Sequence, residues 1–276
     1  MRLQALKEKG WKSKTAGDWD KKAQSFARRN KESEYTTLFL SHLPLKPEHT
    51  VLDVGSGPGT LSLPIARKVC AVTALDFSRG MLDALESIAC QEGIANVTTR
   101  QCAWEDNWQA MGIKQHNIAI ASRSMGVKDL SAAVEKLDTF ATDYVFISDR
   151  IGSTPFDSEA FEAIGRPFQP GPDYIYTLNI LYTMGIHPNI TVLRLAQETT
   201  YRDMAEAMEG YSWMFKELTS GENLALEEYL TRRTIFASAS GITIRRSSPP
   251  EWALIWWQKQ QPTDTGHTSA DTCQPR

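Results

Sequence analysis

Residues 51–60 read Val51-Leu52-Asp53-Val54-Gly55-Ser56-Gly57-Pro58-Gly59-Thr60. An apolar strand runs into three glycines at alternate positions, and Leu61 to Lys68 then reads as a helix. The glycines let the backbone turn tightly and let a ligand approach where a Cβ would clash. The helix behind them offers free N–H groups and the positive end of its dipole. Asp76 closes the next candidate strand, 21 positions after Gly55. A carboxylate at that place is positioned to take a ribose diol.

Dinucleotide and methyl-donor sites share this logic, so the details decide. The dinucleotide fingerprint is G-x-G-x-x-G. Here the third glycine comes one residue early, and Thr60 stands where the last glycine would be. Asp53 lies two residues before the first glycine. A carboxylate aimed into the cleft from there would repel a pyrophosphate. It would suit the amino and sulfonium groups of S-adenosylmethionine (AdoMet). The electrostatics favour AdoMet over NAD.

Outward from this motif, short β-rich runs alternate with helical stretches. Strands are expected at 50–54, 70–75, 97–101, 117–121 and 144–148, with helices at 60–68, 79–92 and 131–140. That rhythm argues for right-handed βαβ units and a mostly parallel sheet. Upstream, residues 18–30 read as a helix capped by Asp18 with Trp19, Ala23 and Phe26 on one face. A second helix is expected at 33–43 with Tyr35, Leu38, Phe39 and His42 inward. Past Ser148 the rhythm breaks into proline-punctuated helical pieces near 157–164 and 173–184. A strand at 190–195, helices at about 202–217 and 222–236, and a last strand at 252–257 follow. Residues 258–276 are polar and read as a disordered tail.

At this point the chain resembles a known family. Residues about 45–150 look like the core of a class I AdoMet-dependent methyltransferase. VLDVGSGPGTLSLPIA resembles its first motif and ALDFSRGMLDAL its second. The resemblance implies an α/β, Rossmann-like sheet of seven strands in the order 3-2-1-4-5-7-6, flanked by helices. Residues 252–257 would be the antiparallel strand inserted beside the edge strand 190–195. It further implies an N-terminal helical lid over 1–43, an AdoMet-binding domain over 44–257, and a helical cap at about 197–250.

Residue by residue, the resemblance places Asp53, Gly55, Ser56, Gly57, Gly59 and Thr60 around the methionine end and the loop. Asp76 would take the ribose, with Phe77, Ser78 and Met81 beside ribose and adenine. After the third strand, Ala103, Trp104 and Glu105 would line the adenine side. Many relatives carry Asp where Cys102 or the next residue stands, so the group that reads the adenine amino is open. Ser122 and Arg123 would lie beside the methyl group. AdoMet is the implied cofactor and S-adenosylhomocysteine (AdoHcy) the product.

Methyl transfer rests on aligning nucleophile, methyl carbon and sulfur. Substrate identity therefore lives in the variable segments. Candidates for the acceptor are Trp19 on the lid, Tyr35, Arg150, Tyr176 and Trp213. Tyr174, Tyr182, Tyr201, Met208, Tyr211, Met214 and Phe215 are either pocket wall or the core of the cap, and the core reading is the default. Arginines beyond strand ends, Arg123 and Arg150, are placed to hold a carboxylate or phosphate. No catalytic base is identified, and His42 and His187 read as structural. No His/Asp/Glu set has metal-ligand spacing.

Composition narrows the partners. The chain has 276 residues, 41% hydrophobic and 23% charged, with a net charge of −3. Such a balance does not suit a nucleic-acid coat, although residues 1–31 carry ten Lys/Arg. A solvated face is the plain reading of that basic start. An RNA or protein methyltransferase using it as a footprint is the alternative, and a non-catalytic AdoMet-binding protein is a third. The segment after the fourth strand, Ala121-Ser122-Arg123-Ser124-Met125, is not the N-P-P-Y type of amino-methylating nucleic-acid enzymes, nor a Pro-Cys nucleophile site. Four cysteines without CxxC spacing suit a reducing cytoplasm. No apolar run nears the ~18 residues of a membrane span, and the N-terminus lacks a secretory apolar region. A small-molecule acceptor is the leading expectation.

Overall fold

The computed structural model describes residues 15–21, 23 and 33–259. Phe26, most of the helix expected over 18–30, Trp11 and the expected tail beyond 259 lie outside the described residues. Among those described, no helix is long and apolar enough to cross a membrane.

The main sheet contains β1 (Thr50–Val54), β2 (Ala71–Asp76), β3 (Val97–Gln101), β4 (His116–Ser122), β5 (Ala141–Arg150), β6 (Asn189–Arg194) and β10 (Glu251–Gln258). Their order is β3-β2-β1-β4-β5-β10-β6. β1 to β5 pair in parallel. β10 is antiparallel to both β5 and β6, with Trp252 opposite Arg150 and Leu193. The expected order is therefore observed, with the tenth strand of the chain in the inserted place.

Parallel strands covered on both faces read as apolar runs, and the alternation of side chains sorts them. Leu52, Val54, Ala119, Ala121, Val145 and Ile147 face α5 (Leu130–Phe140) and α7 (Tyr174–Thr183). Val51, Val72, Ile118, Ile120 and Phe146 face α2 (Glu34–Ser41) and α3 (Ser62–Ala66). Asp53 lies one residue from Leu52, so it shares the α3 face with Val51. The helix α4 (Arg79–Gln91) starts at Ser78, whose Oγ accepts the Met81 amide at 3.2 Å. Such a cap satisfies one of the orphan donors of a helix start. Its apolar side, Met81, Leu82, Leu85 and Ala89, is buried, and Gly93 at φ 66° ends it in the left-handed conformation, as helix stops commonly do.

In α2, Tyr35 and Phe39 point inward as expected, with Leu38 partly buried, but His42 is exposed. The helix stops at Ser41, one residue short of carrying His42 round to the core face.

Between β6 and β10 the insert contains the expected helices, α8 (Met204–Ser212) and α9 (Ser220–Arg233). It also holds a three-stranded antiparallel sheet in the order β7-β9-β8, from Glu198–Tyr201, Gly241–Arg245 and Thr234–Ser238. The helix expected to run to 236 ends at Arg233, where Thr234-Ile235-Phe236 brings β-branched and aromatic residues that prefer the pleated strand. α6 (Ser158–Ala163), from the chain between β5 and α7, joins this unit through Ala160 and Ile164. At its centre, buried Asp157 accepts the Tyr229 hydroxyl at 3.0 Å and faces Arg246 Nε at 3.6 Å. Asp157 and the two carboxylate oxygens of Glu222, which take Arg166 at 2.5 and 2.8 Å, tie segment 151–170 to the insert.

Candidate functional site

The site lies at the carboxyl ends of β2, β1, β4 and β5, the edge where open α/β sheets bind ligands. At the end of β2, Asp76 is nearly enclosed, with 7% of its surface exposed. Its Oδ2 accepts the Gly57 amide and its Oδ1 the Ser78 amide, both at 2.9 Å. Burial pushes its pKa up, against these amides, which pull it down. A carboxylate has about four lone-pair sites, so acceptor capacity remains for a ligand's hydroxyl.

The glycines divide their labour. Gly55 has φ 73°, and a Cβ there would meet the Ser124 Cβ at 2.4 Å, so β1 and the segment after β4 pack directly on each other. Gly57 has φ 55°, and a Cβ there would meet nothing within 4 Å. Space beside a half-buried glycine whose amide is locked to Asp76 is what a close-lying ligand needs. Gly59 packs against Leu63 and Leu85. Ser56 is buried, and its amide joins that of Gly55 on the Leu75 carbonyl. Thr60 is half-buried at the turn into α3.

Asp53 differs from expectation. It is 1% exposed, and its Oδ2 accepts the Ser62 hydroxyl at 2.6 Å. The carboxylate faces the start of α3 instead of standing open in the cleft, because its place in β1 turns it to that face. Burial, with Asp76 adding to it, raises its pKa to about 7.

The N-terminal segment touches the site through a residue that the sequence did not single out. Asp20 ends α1 (Ala16–Asp20), and its Oδ1 accepts the Ser78 hydroxyl at 2.5 Å and the Gly80 amide at 2.9 Å. These bonds hold its pKa down. Trp19, the expected lid residue, is half-buried on the same short helix. Phe77 is half-buried and Met81 buried beside this junction.

After β3, the chain folds back on itself. Asp106 Oδ2 accepts the Ala103 amide at 2.8 Å, and Trp108 Nε1 donates to the Ala103 carbonyl at 3.0 Å. Trp104 is half-buried, its ring 5.5 Å from that of Trp108, while Glu105 is exposed. Lys136 Nζ donates to the Trp104 carbonyl at 2.6 Å. Trp108 is thus a structural pillar under the loop. Asp106, not singled out from sequence, is the carboxylate that organises it.

The ends of β4 and β5 meet α2. The Tyr35 hydroxyl lies 2.7 Å from Ser122 Oγ and 2.5 Å from Ser148 Oγ. Burial raises the Tyr35 pKa. Arg123 follows at φ 57°, its amide donating to Ser148 Oγ at 3.1 Å. Its guanidinium lies 4.2 Å from the Tyr35 ring centroid and 5.7 Å from that of Trp252. Trp252, from the expected last strand, is 8% exposed. Only the antiparallel register of β10 brings it to this edge.

The remaining acceptor candidates are dispersed. Arg150 donates from Nε to the Pro172 carbonyl at 2.9 Å, and burial lowers its pKa. Tyr174 and Tyr176 pack against the main core from α7. Tyr182, a possible pocket wall from sequence, is 72% exposed. Tyr211 belongs to the core of the insert, with Tyr201, Met208, Met214 and Phe215 packed round it. Trp213 is 43% exposed, and its ring lies 5.5 Å from that of Phe156, in an aromatic cluster shared by the insert and segment 151–170. His187 is exposed beside Tyr182.

Three comparisons bear on this geometry. Residues 51–138 match a family described as a methyltransferase domain. An uncharacterized protein of Haemophilus influenzae is 35% identical over 245 residues, covering 87% of this chain and 88% of the relative. A putative methyltransferase from Bacillus halodurans superposes with a TM-score of 0.57 at 14% identity, over 83% of this chain and 100% of that one. The YcgJ protein from Bacillus subtilis gives 0.55 at 14% identity, over 82% and 98%. At such identities the solved structures speak for the fold.

Proposed function

We infer that the chain is a class I S-adenosylmethionine-dependent methyltransferase, transferring the methyl group of AdoMet to a small-molecule acceptor and releasing AdoHcy. The observation that carries the cofactor assignment is Asp76, locked to the Gly57 and Ser78 amides with lone pairs to spare. In this reading Asp76 takes the ribose hydroxyls. Gly57 admits the ligand against the backbone, with Gly55, Ser56, Gly59 and Thr60 shaping the loop. Phe77, Ser78 and Met81 flank the ribose and adenine, and Ala103, Trp104 and Glu105 lie on the adenine side. Ser122 and Arg123 border the reacting end. Asp53 supports the loop from behind through Ser62.

When bound, the cofactor supplies a methyl group on a sulfonium, open to in-line displacement. The chain's own task is then positioning and exclusion of water. Tyr35 keeps its proton at neutral pH, since burial raises its pKa. It orients the edge; it is not the base. Such a site suits an acceptor whose nucleophile arrives with a free lone pair. The covering segments favour a small acceptor: Asp20 brings the N-terminal segment down on α4. The insert adds a folded unit beside the acceptor edge.

Calorimetry with AdoMet and AdoHcy tests the cofactor assignment. A panel of candidate acceptors assayed for AdoHcy release, repeated over a range of salt, tests the acceptor class. Turnover of a metabolite, with at most a shallow dependence on salt, supports the reading. Turnover of RNA alone, falling steeply with ionic strength, overturns the small-molecule part.

A further inference from the structure

Arg123 is the one non-glycine residue with a positive φ, 57°, among the described residues. Left-handed backbone costs a side-chain-bearing residue of this kind free energy, and it persists where the surroundings impose it. Here they do. The Arg123 amide donates to both the carbonyl and the hydroxyl of Ser148, each at 3.1 Å. The following residue, Ser124, donates its hydroxyl to the Val54 carbonyl at 2.7 Å and fills the space a Gly55 Cβ would take. The strained residue is fixed from both sides, between the glycine loop and β5.

The side chain is fixed as well. The guanidinium lies over the Tyr35 ring at 4.2 Å, and Ser122 and Ser148 anchor the hydroxyl of that ring. Trp252 borders it at 5.7 Å. A guanidinium stacked on a ring uses its face and leaves its edge, with up to five N–H donors, in the plane. No carboxylate lies within ion-pair distance of it among the described residues, whereas Arg67, Arg79, Arg166, Arg194, Arg233 and Arg245 all have acidic partners. This is a half-buried, strained and oriented cation without an anionic partner among the described residues, at the ligand-binding edge of the sheet.

We propose that Arg123 is the receptor for an anionic group, a carboxylate or phosphate, on the methyl acceptor. The proposal rests on the methyltransferase reading and narrows its substrate to an anionic small molecule. A planar fork meets such groups with two parallel hydrogen bonds. The location separates this anion from the ribose end. Asp76 closes β2 and Arg123 follows β4, with β1 between them. Two strand spacings put roughly 10 Å between these ends. An anion held there would hold the acceptor by a point on the β4 side of the glycine loop, across from the ribose.

The test uses the full chain saturated with AdoHcy. Inorganic phosphate and benzoate are titrated into it by calorimetry, in the wild type, Arg123→Gly and Arg123→Asn. Glycine and asparagine both tolerate φ near 57°, so these variants keep the backbone and remove the guanidinium. The expected result is that one of the two anions binds the wild type and binds both variants at least tenfold more weakly, with AdoHcy affinity changed less than threefold. Anion binding that is equal in all three proteins, or absent from the wild type, overturns the proposal. A tenfold loss of AdoHcy affinity in the variants also overturns it, since the arginine would then serve the cofactor's own carboxylate. Failure of AdoHcy to bind the wild type would instead remove the methyltransferase reading beneath it.

Discussion

The Asp76 carboxylate accepts the Gly57 amide at 2.9 Å, which makes the end of β2 and the tip of the glycine loop one unit. The second oxygen does the same for Ser78, at the start of α4. One side chain therefore sets the loop and the helix against each other before any ligand arrives. Pre-organisation of this kind lowers the ordering cost of binding.

Replacing Asp76 tests that unit. Asp76→Ala removes the partner of two backbone amides and the acceptor for a diol. AdoMet affinity measured by calorimetry should fall by roughly 1–3 kcal/mol, the usual cost of leaving such groups poorly satisfied. Asp76→Asn keeps one acceptor oxygen and should fall between. Unchanged affinity in Asp76→Ala would take this carboxylate out of the cofactor site.

The glycines should separate stability from binding. Gly55→Ala drives a Cβ into Ser124 at 2.4 Å, and the backbone of β1 must move. It should lower the melting temperature markedly, by a destabilisation on the order of 1–3 kcal/mol or more. Gly57→Ala meets no atom within 4 Å, so its folding cost is only that of a left-handed alanine, about 1–2 kcal/mol. Its larger effect should be on AdoMet affinity, through the space the methyl group occupies. Equal effects of the two substitutions on melting and on binding would contradict this division.

Asp53 predicts a pH dependence. Its folded pKa, about 7, lies above the ordinary carboxylate value near 3.8. Between those values the folded chain keeps a proton that the unfolded chain has lost, so this residue makes stability fall as pH rises from about 4 to 7. At pH 8 the penalty has an upper limit of ~4 kcal/mol, from roughly three units at 1.36 kcal/mol each. Asp53→Asn removes the ionisation. Its melting temperature relative to wild type, without cofactor, should therefore improve from pH 5 to about pH 7 and level off towards pH 8. A difference that is flat over this range would show that Asp53 is not held in its protonated form.

What the sequence made legible was local. The run from Val51 to Thr60 declares a strand and a glycine turn because its alternation and its glycines are consecutive. Asp76 followed, because strand, helix and strand have near-fixed lengths. The site's other half is assembled from residues far apart in the chain. Tyr35 meets Ser122 and Ser148 across 87 and 113 positions, and Asp20 meets Ser78 across 58. Such contacts leave no periodicity. The small sheet of the insert was hidden for a different reason. Thr234-Ile235-Phe236 directly continues the amphipathic pattern of α9, and a short apolar run does not distinguish helix from strand. The direction of Asp53 was misjudged because a motif gives a residue's place in a strand, while the face it looks to depends on which helix covers it.

Asp20 offers a test of whether the N-terminal segment covers the cofactor. Its carboxylate bonds Ser78 and Gly80, the residues that follow the Asp76 turn. A Cβ added at Gly80 would lie 3.0 Å from the Asp20 Cα, so the two backbones touch. Asp20→Ala should free the segment while leaving Asp76 with its own two amides. AdoMet should then dissociate faster in stopped-flow measurements, with a smaller change in association rate. Gly80→Ala should reproduce the effect by steric means, which distinguishes loss of docking from loss of charge. Because hydrogen bonds to Ser78 and Gly80 hold the Asp20 pKa below its usual value, the docking should persist at neutral pH. It should weaken only as pH falls through that lowered pKa. Dissociation rates identical to wild type in both variants would leave the segment no part in retaining the cofactor.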